Sequence, residues 1–159
     1  MTYKVAAYLR LSKEEYSNEK ESNSITNQKI IIDNYLKEHR EYKLIDYYID
    51  DGYSGTNFDR PEFQRMLEDI KNKKIDAILI KDLSRLGRNY IETGNFVEVV
   101  FPAMGVSVIS VDENYEIYSS NYYSDDYLAL KNLFNDMYAK DISKKVRSSL
   151  IVKKQNGEF

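Results

Sequence analysis

Ile75-Asp76-Ala77-Ile78-Leu79-Ile80 is a nearly continuous apolar run of strand length, interrupted only by Asp76. Such a run fits a strand buried on both faces, as in a parallel sheet covered by helices. The residues before it predict a helix. Asp59-Arg60-Pro61-Glu62 offers an acidic cap, a proline for the first turn and a glutamate at the capping-box position. Phe63, Met66, Leu67 and Ile70 then recur at i, i+3, i+4 and i+7, one apolar stripe. After the run, residues 84–89 form a polar, glycine-containing loop, and a helix begins near Tyr90 that Pro102 is expected to disrupt near Phe101. Residues 106–111 predict a further strand.

The same alternation extends toward the N-terminus. Residues 5–12 predict a strand with Val5, Ala7, Leu9 and Leu11 on one face and Ala6, Tyr8, Arg10 and Ser12 on the other. A polar loop over 13–23 leads to Ser24, an N-cap for a helix reaching about Arg40, with Ile25, Ile32 and Leu36 on its buried side. His39 near its end suits a structural place at the negative end of the helix dipole. Residues 42–49 predict the second strand, and Asp50 to Asn57 a glycine-rich turn or loop. The order β-α-β-α-β-α-β implies an α/β fold: a mainly parallel sheet of four to five strands flanked by helices. This core spans 1–124. A loop over 114–124 then gives way to a helical pattern over 125–159, with Leu130, Leu133, Phe134, Met137, Tyr138, Ile142, Val146 and Leu150 on its apolar side. A helix that long exceeds what a domain of this size can cover, so it should project and pack against another subunit.

Composition narrows the function. No cysteine is present and the single histidine is His39, so neither a disulfide framework nor a thiolate or histidine-rich metal site can be built. No apolar run approaches the length of a membrane span, and no signal-peptide pattern opens the chain, so a reducing cytoplasm is the expected compartment. Net charge is −3, but Lys140 to Lys154 holds six basic residues and one acid, leaving 17 basic against 25 acidic residues elsewhere. A polyanion is therefore expected to approach at Lys144, Lys145, Arg147, Lys153 and Lys154. The fifteen tyrosines fall mostly at half-buried positions and are expected to pack.

In open parallel sheets the working residues gather at the carboxyl ends of the strands. Those ends carry Tyr8, Arg10 and Ser12, then Asp51 to Gly55, then Lys81 and Ser84-Arg85-Leu86-Gly87-Arg88. A hydroxyl among several guanidinium groups, with almost no candidate general base, suits phosphoryl transfer to a serine, because arginines grip phosphate oxygens in bidentate fashion. Each segment has a plainer reading: Ser12 as a turn residue, Arg85 and Arg88 as surface charge, 52–55 as a flexible loop, Arg60 as a helix-start residue.

Taken together, five segments resemble the resolvase/invertase superfamily of serine recombinases, and within it the catalytic domain of the large members, the transposon and phage integrases. They are Tyr8-Leu9-Arg10-Leu11-Ser12, Ser24-Ile25-Thr26-Asn27-Gln28, Asp51-Gly52-Tyr53-Ser54-Gly55 with Asp59-Arg60-Pro61, Lys81 through Asn89, and Tyr138 through Ser143. The resemblance implies that Ser12 attacks a DNA phosphate to give a 5′-phosphoserine, followed by strand exchange and rejoining, with neither ATP nor a metal or other cofactor. It implies that Arg10, Arg85 and Arg88 bind the phosphate with Arg60 beside them, that Gln28 and Asp51 organise the site, and that Asp141 lies on a helix making subunit contacts. The implied partners are double-stranded DNA and further copies of the chain, as a dimer or tetramer through the long helix; no membrane is involved. Ser84 stands where many small members carry an acid. The sequence-reading domains that follow in the family are missing, so the chain is expected to be a catalytic fragment that binds DNA weakly and with strong salt dependence. The competing readings are a receiver-like regulatory module, which would need an acid at the end of the first strand where Arg10 stands, and a small-molecule phosphohydrolase, which lacks its base.

Overall fold

The computed structural model describes residues 2–13 and 24–117, with the helical positions Asn132, Asn135, Asp136 and Ala139. Apart from those positions the helix expected over 125–159 lies outside the described residues, and with it Asp141, Lys144, Lys145, Arg147, Lys153 and Lys154, as does most of the loop expected over 13–23.

Strands β1 (Tyr3–Leu11), β2 (Tyr42–Asp51), β3 (Ala77–Ile80) and β4 (Ser107–Ser110) run parallel, and β5 (Tyr115–Ile117) joins antiparallel, in the spatial order β2-β1-β3-β4-β5. The mainly parallel, helix-flanked sheet is thus the expected one. β5 falls where only a loop was expected. Asn114, at φ 55°, turns the chain back toward it, a conformation asparagine tolerates better than most residues.

Helices α1 (Ile25–Glu38) and α2 (Pro61–Lys71) connect the first three strands. The strand alternation sorts the core as the sequence implies. Val5, Ala7 and Leu9 pack with Ile32, and with half-buried Ile25 and Leu36, under α1. Ala6 and Tyr8 pack on the opposite face with Phe63, Met66, Ile70, Val97 and Phe101. His39 caps α1, its Nδ1 donating to the Tyr35 carbonyl at 2.8 Å and its ring stacked on Tyr35 at 3.9 Å.

One local expectation is corrected and another is given its detailed form. The N-cap of α2 is Arg60, not Asp59, and its side chain caps nothing; the open N–H groups of Glu62 and Phe63 are taken instead by Asp50 from the end of β2, each at 3.0 Å. The disruption expected near Phe101 is present: a π segment precedes it, and the helix ends one residue after Pro102. α3 (Tyr90–Asn95) passes through a π segment, Phe96–Val100, into α4 (Phe101–Ala103). The wider turn shifts the carbonyls out of the i−4 register with which a proline ring collides.

Candidate active site

Because β1 to β4 are parallel, their carboxyl ends share one edge, and the buried polar side chains concentrate there: Arg10, Ser12, Asp50, Lys81, Arg85 and Ser110. Ser12 follows β1 directly and is 3% exposed. Arg10, two residues earlier, lies opposite Asp50 in the β1–β2 register and is 1% exposed. A buried guanidinium must find partners for its N–H groups. Arg10 Nε donates to the Arg85 carbonyl at 3.1 Å, Nη1 to the Tyr53 carbonyl at 3.2 Å and Nη2 to the Ser84 carbonyl at 2.7 Å. Arg85 answers through Nη1, which donates to the Arg10 carbonyl at 2.7 Å.

Gln28, fully buried on α1, brackets the main chain at the same point. Its Oε1 accepts from the Arg10 N–H at 3.3 Å and its Nε2 donates to the Arg10 carbonyl at 3.0 Å. Ser24 makes this possible by capping α1, its hydroxyl accepting from the Asn27 N–H at 3.1 Å.

Behind this layer lies a buried relay. Asp50 accepts a hydrogen bond from the Tyr8 hydroxyl at 2.8 Å, and that hydroxyl accepts one from Arg60 Nη1, also at 2.8 Å. Arg60 Nη1 stands 3.3 Å from the Arg85 carbonyl, and Nη2 donates to the Leu86 carbonyl. Tyr8, Phe58 and Phe63 surround the guanidinium with their rings, centroids 4.9 to 5.5 Å away. Burial draws the Arg60 pKa below its usual value, against the pull of Tyr8 and Asp50. Burial raises the Tyr8 phenol well above its ordinary range, Asp50 adding to the shift and Arg60 opposing it. Arg60 therefore reaches the Arg85 turn from inside the core.

Two glycines let the loops close over these groups. A Cβ on Gly55 would lie 2.8 Å from Arg10 Nη2 and 3.0 Å from the Arg88 nitrogen, and the Gly55 carbonyl accepts from the Arg88 N–H at 2.7 Å. A Cβ on Gly87 would meet Thr93 Oγ1 at 2.7 Å and the Phe58 ring at 3.0 Å. Gly52, at φ 88°, turns the chain out of β2 while its N–H donates to the Leu11 carbonyl at 2.6 Å, beside Ser12.

The structure thus gathers Ser12, Arg10, Arg85, Gln28 and the 52–55 loop at one sheet edge, with Arg60 beneath. Arg88 is on the same turn, its main chain tied to Gly55 and its side chain exposed. Asp51 ends β2 opposite Leu11 with an exposed side chain. Its neighbour Asp50 has its carboxylate in the buried network, a residue that sequence reading passed over as a site residue. Strand parity was the available signal: Asp50 alternates with buried Tyr48, and Asp51 does not. Among the described residues no group of three or more His, Asp or Glu side chains could hold a metal ion, and no helix is long and apolar enough to cross a membrane.

The family model described as "Resolvase, N terminal domain" matches residues 5–159. Among solved structures, the N-terminal catalytic domain of TP901-1 integrase is 28% identical, with a TM-score of 0.66 over 89% of this chain and 96% of that one. A resolvase family site-specific recombinase from Streptococcus pneumoniae is 23% identical, with a TM-score of 0.65 over 97% of this chain and 99% of that one. The C-terminal catalytic domain of ISC1926 TnpA, an IS607-like serine recombinase, is also 23% identical, with a TM-score of 0.56 over 98% and 99% of the two chains. At 23% identity these last two speak to the fold alone. Comparison with curated proteins finds no match.

Proposed function

Since this chain belongs to the resolvase family, as a serine recombinase catalytic domain of the kind that cleaves and rejoins DNA, we propose that Ser12 is its nucleophile. Its Oγ forms a bond to the scissile phosphorus as the bond to the 3′-oxygen breaks, giving a 5′-phosphoserine and a 3′-hydroxyl. The energy of the phosphodiester stays in the new ester, and the hydroxyl of the partner strand reverses the step after exchange.

Arg10, Arg85 and Arg88 hold the phosphate, and Gln28 and Asp51 organise the site. Arg60 acts from behind, through the turn that carries Arg85. The observation that carries this reading is the mutual anchoring of two buried arginines, Arg10 and Arg85, each donating to the other's carbonyl at the strand end two residues before Ser12. Arg10 meets three carbonyls in this conformation, so phosphate oxygens would replace carbonyl oxygens rather than water. That exchange exploits the stronger hydrogen bond to a charged acceptor.

We further assign 1–124 to the catalytic core and the helical segment over 125–159 to contacts between subunits and to DNA approach through Lys144, Lys145, Arg147, Lys153 and Lys154, with Asp141 at the subunit contact. The five-charge excess between Lys140 and Lys154 supports this, and action on DNA accords with the cytoplasmic compartment. The likeness to the catalytic domain of TP901-1 integrase supports the integrase branch. The test is trapping. Full-length protein with a nicked duplex bearing its crossover site should yield a covalent protein–DNA adduct that survives denaturation and forms in EDTA. Ser12→Ala should bind the same duplex and give none; an adduct from that variant would overturn the assignment.

A further inference from the structure

The turn that carries Arg85 is held by a carboxylate that the proposed chemistry leaves unused. Asp82 caps the 3₁₀ turn Leu83–Arg85: its Oδ1 accepts from the Ser84 N–H at 3.0 Å and from the Ser84 hydroxyl, and Arg85 Nε stands 3.5 Å from the same oxygen. Arg85 Nη2 in turn donates to Ser84 Oγ at 3.0 Å. The serine hydroxyl therefore sits between the two, giving its proton to the carboxylate and accepting from the guanidinium.

The rest of the surroundings hold Asp82 ionised and in place. Burial works against its charge, but Arg85, the Ser84 hydroxyl and Lys81 outweigh it and keep the carboxyl below its usual range. Lys81 Nζ lies 3.3 Å from Asp82 and 2.9 Å from Asp112. On the far side Glu113 accepts from the Leu83 N–H at 3.3 Å and from the Ser110 hydroxyl.

Capping the turn requires only one acceptor, for the Ser84 N–H. The remaining contacts have a different geometric result. They fasten the Nε and Nη2 side of Arg85 while Nη1 is fastened to the Arg10 carbonyl. A planar guanidinium bonded at Nη1 and Nη2, with a carboxylate oxygen 3.5 Å from Nε, has little rotation left about its last side-chain bonds.

We propose that Asp82, working through the Ser84 hydroxyl, is a positioning residue for strand transfer: it sets the plane in which Arg85 is presented to the scissile phosphate. The inference rests on the reading of Arg85 as a phosphate ligand given above. Asp82 itself touches neither DNA nor Ser12 in this scheme.

Three variants of the full-length protein test it. Ser84→Ala leaves the carboxylate cap on the turn but removes the bridge to Arg85. Asp82→Ala removes both, and Asp82→Asn keeps an acceptor oxygen while losing the charge. Adduct formation on the nicked duplex should slow by roughly 10²-fold in Ser84→Ala and Asp82→Ala, the scale of a misplacement of about 1 Å. DNA affinity should be unchanged, and Asp82→Asn should recover part of the rate. The Arg85 Nε–H resonance, read by NMR, should lose its protection from exchange in both alanine variants, a readout independent of catalysis. Arg85→Ala separates the two claims. If it is inactive while Ser84→Ala and Asp82→Ala cleave at the normal rate, positioning by Asp82 is overturned and the phosphate role of Arg85 stands. If Arg85→Ala itself cleaves normally, that role fails and takes the inference with it.

Discussion

Arg10 and Arg85 hold each other: Arg85 Nη1 donates to the Arg10 carbonyl at 2.7 Å, and Arg10 Nε donates to the Arg85 carbonyl at 3.1 Å. Each main chain is positioned by the other's side chain, so neither guanidinium can be repositioned alone. A strand end and a loop that are 75 residues apart become one unit.

That reciprocity makes the two arginines non-additive. Arg10→Lys and Arg85→Lys should each lower the rate of covalent adduct formation by roughly 10²–10³-fold, because an ammonium group cannot replace a planar fork of donors. The double variant should lose little more than the worse single one, since either change already frees both side chains. Single-turnover cleavage of a trapped duplex measures all three. Losses that multiply would mean that the two act separately.

Gly55 should be replaceable only at the expense of activity. An added Cβ would stand 2.8 and 2.9 Å from two atoms of the Arg10 guanidinium, which three carbonyls keep from moving aside. Gly55→Ala is therefore expected to cost about 1–3 kcal/mol of stability through overpacking and to slow cleavage strongly. Gly105→Ala is the contrast. Its Cβ would meet nothing within 4 Å, although φ is +74°, so backbone strain of about 1 kcal/mol should lower stability and leave cleavage unchanged. Denaturant midpoints paired with cleavage rates distinguish the two.

The sheet was legible because its signals are local. Ile75 to Ile80 announces a buried strand, and the alternation of Val5, Ala7 and Leu9 with Ala6 and Tyr8 assigns the two faces that the core clusters occupy. Arg10 and Arg85 could be placed at one edge from strand order alone, whereas Gln28, on a helix, joined them only through the family resemblance. What stayed hidden depends on contacts between distant residues. Nothing local to Asp59-Arg60-Pro61 reveals that its helix is capped by Asp50. Nothing around Pro102 foretells a π turn whose bond runs from the Phe101 N–H to the Phe96 carbonyl. Arg60 looks like a helix-start residue until the rings of Phe58 and Phe63 are seen to enclose it.

The Tyr8 hydroxyl links β2 to the Arg85 turn, and its ionisation should be visible in stability at alkaline pH. Burial holds its folded-state pKa above the ordinary phenol value of about 10. Above that pH the unfolded chain releases the proton while the folded chain retains it, so stability is fully present below about pH 10 and falls as pH rises toward the folded-state value. Tyr48, raised by burial and by its bond to Asp69, contributes in the same direction, as does Tyr47, pushed up to about 12. Tyr8→Phe should flatten the decline. At neutral pH it should cost about 1–3 kcal/mol, because Asp50 and Arg60 each lose a buried partner. Urea unfolding from pH 7 to 11, with absorbance at the phenolate band, tests both parts; equal slopes in the two proteins would contradict them.

Thr93 offers a prediction of opposite sign. It is fully buried on α3, its Oγ1 has no hydrogen-bond partner, and a Cβ on Gly87 would fall 2.7 Å from it. A hydroxyl taken from water without a partner costs about 1–3 kcal/mol, and valine fills nearly the same space with a methyl group. Thr93→Val should therefore leave stability unchanged or raise it by up to about 1 kcal/mol, the gain limited by how closely the new methyl meets Gly87. The same reasoning excludes the reverse change: Gly87→Ala would drive a carbon to 2.7 Å from Thr93 Oγ1 and should destabilise. Combining Gly87→Ala with Thr93→Ser, which keeps the hydroxyl, should not rescue it, whereas Thr93→Ala should restore part of the loss by removing the atom in the way. Denaturant unfolding of these variants decides it, and a destabilised Thr93→Val would mean that the hydroxyl has a partner in solution.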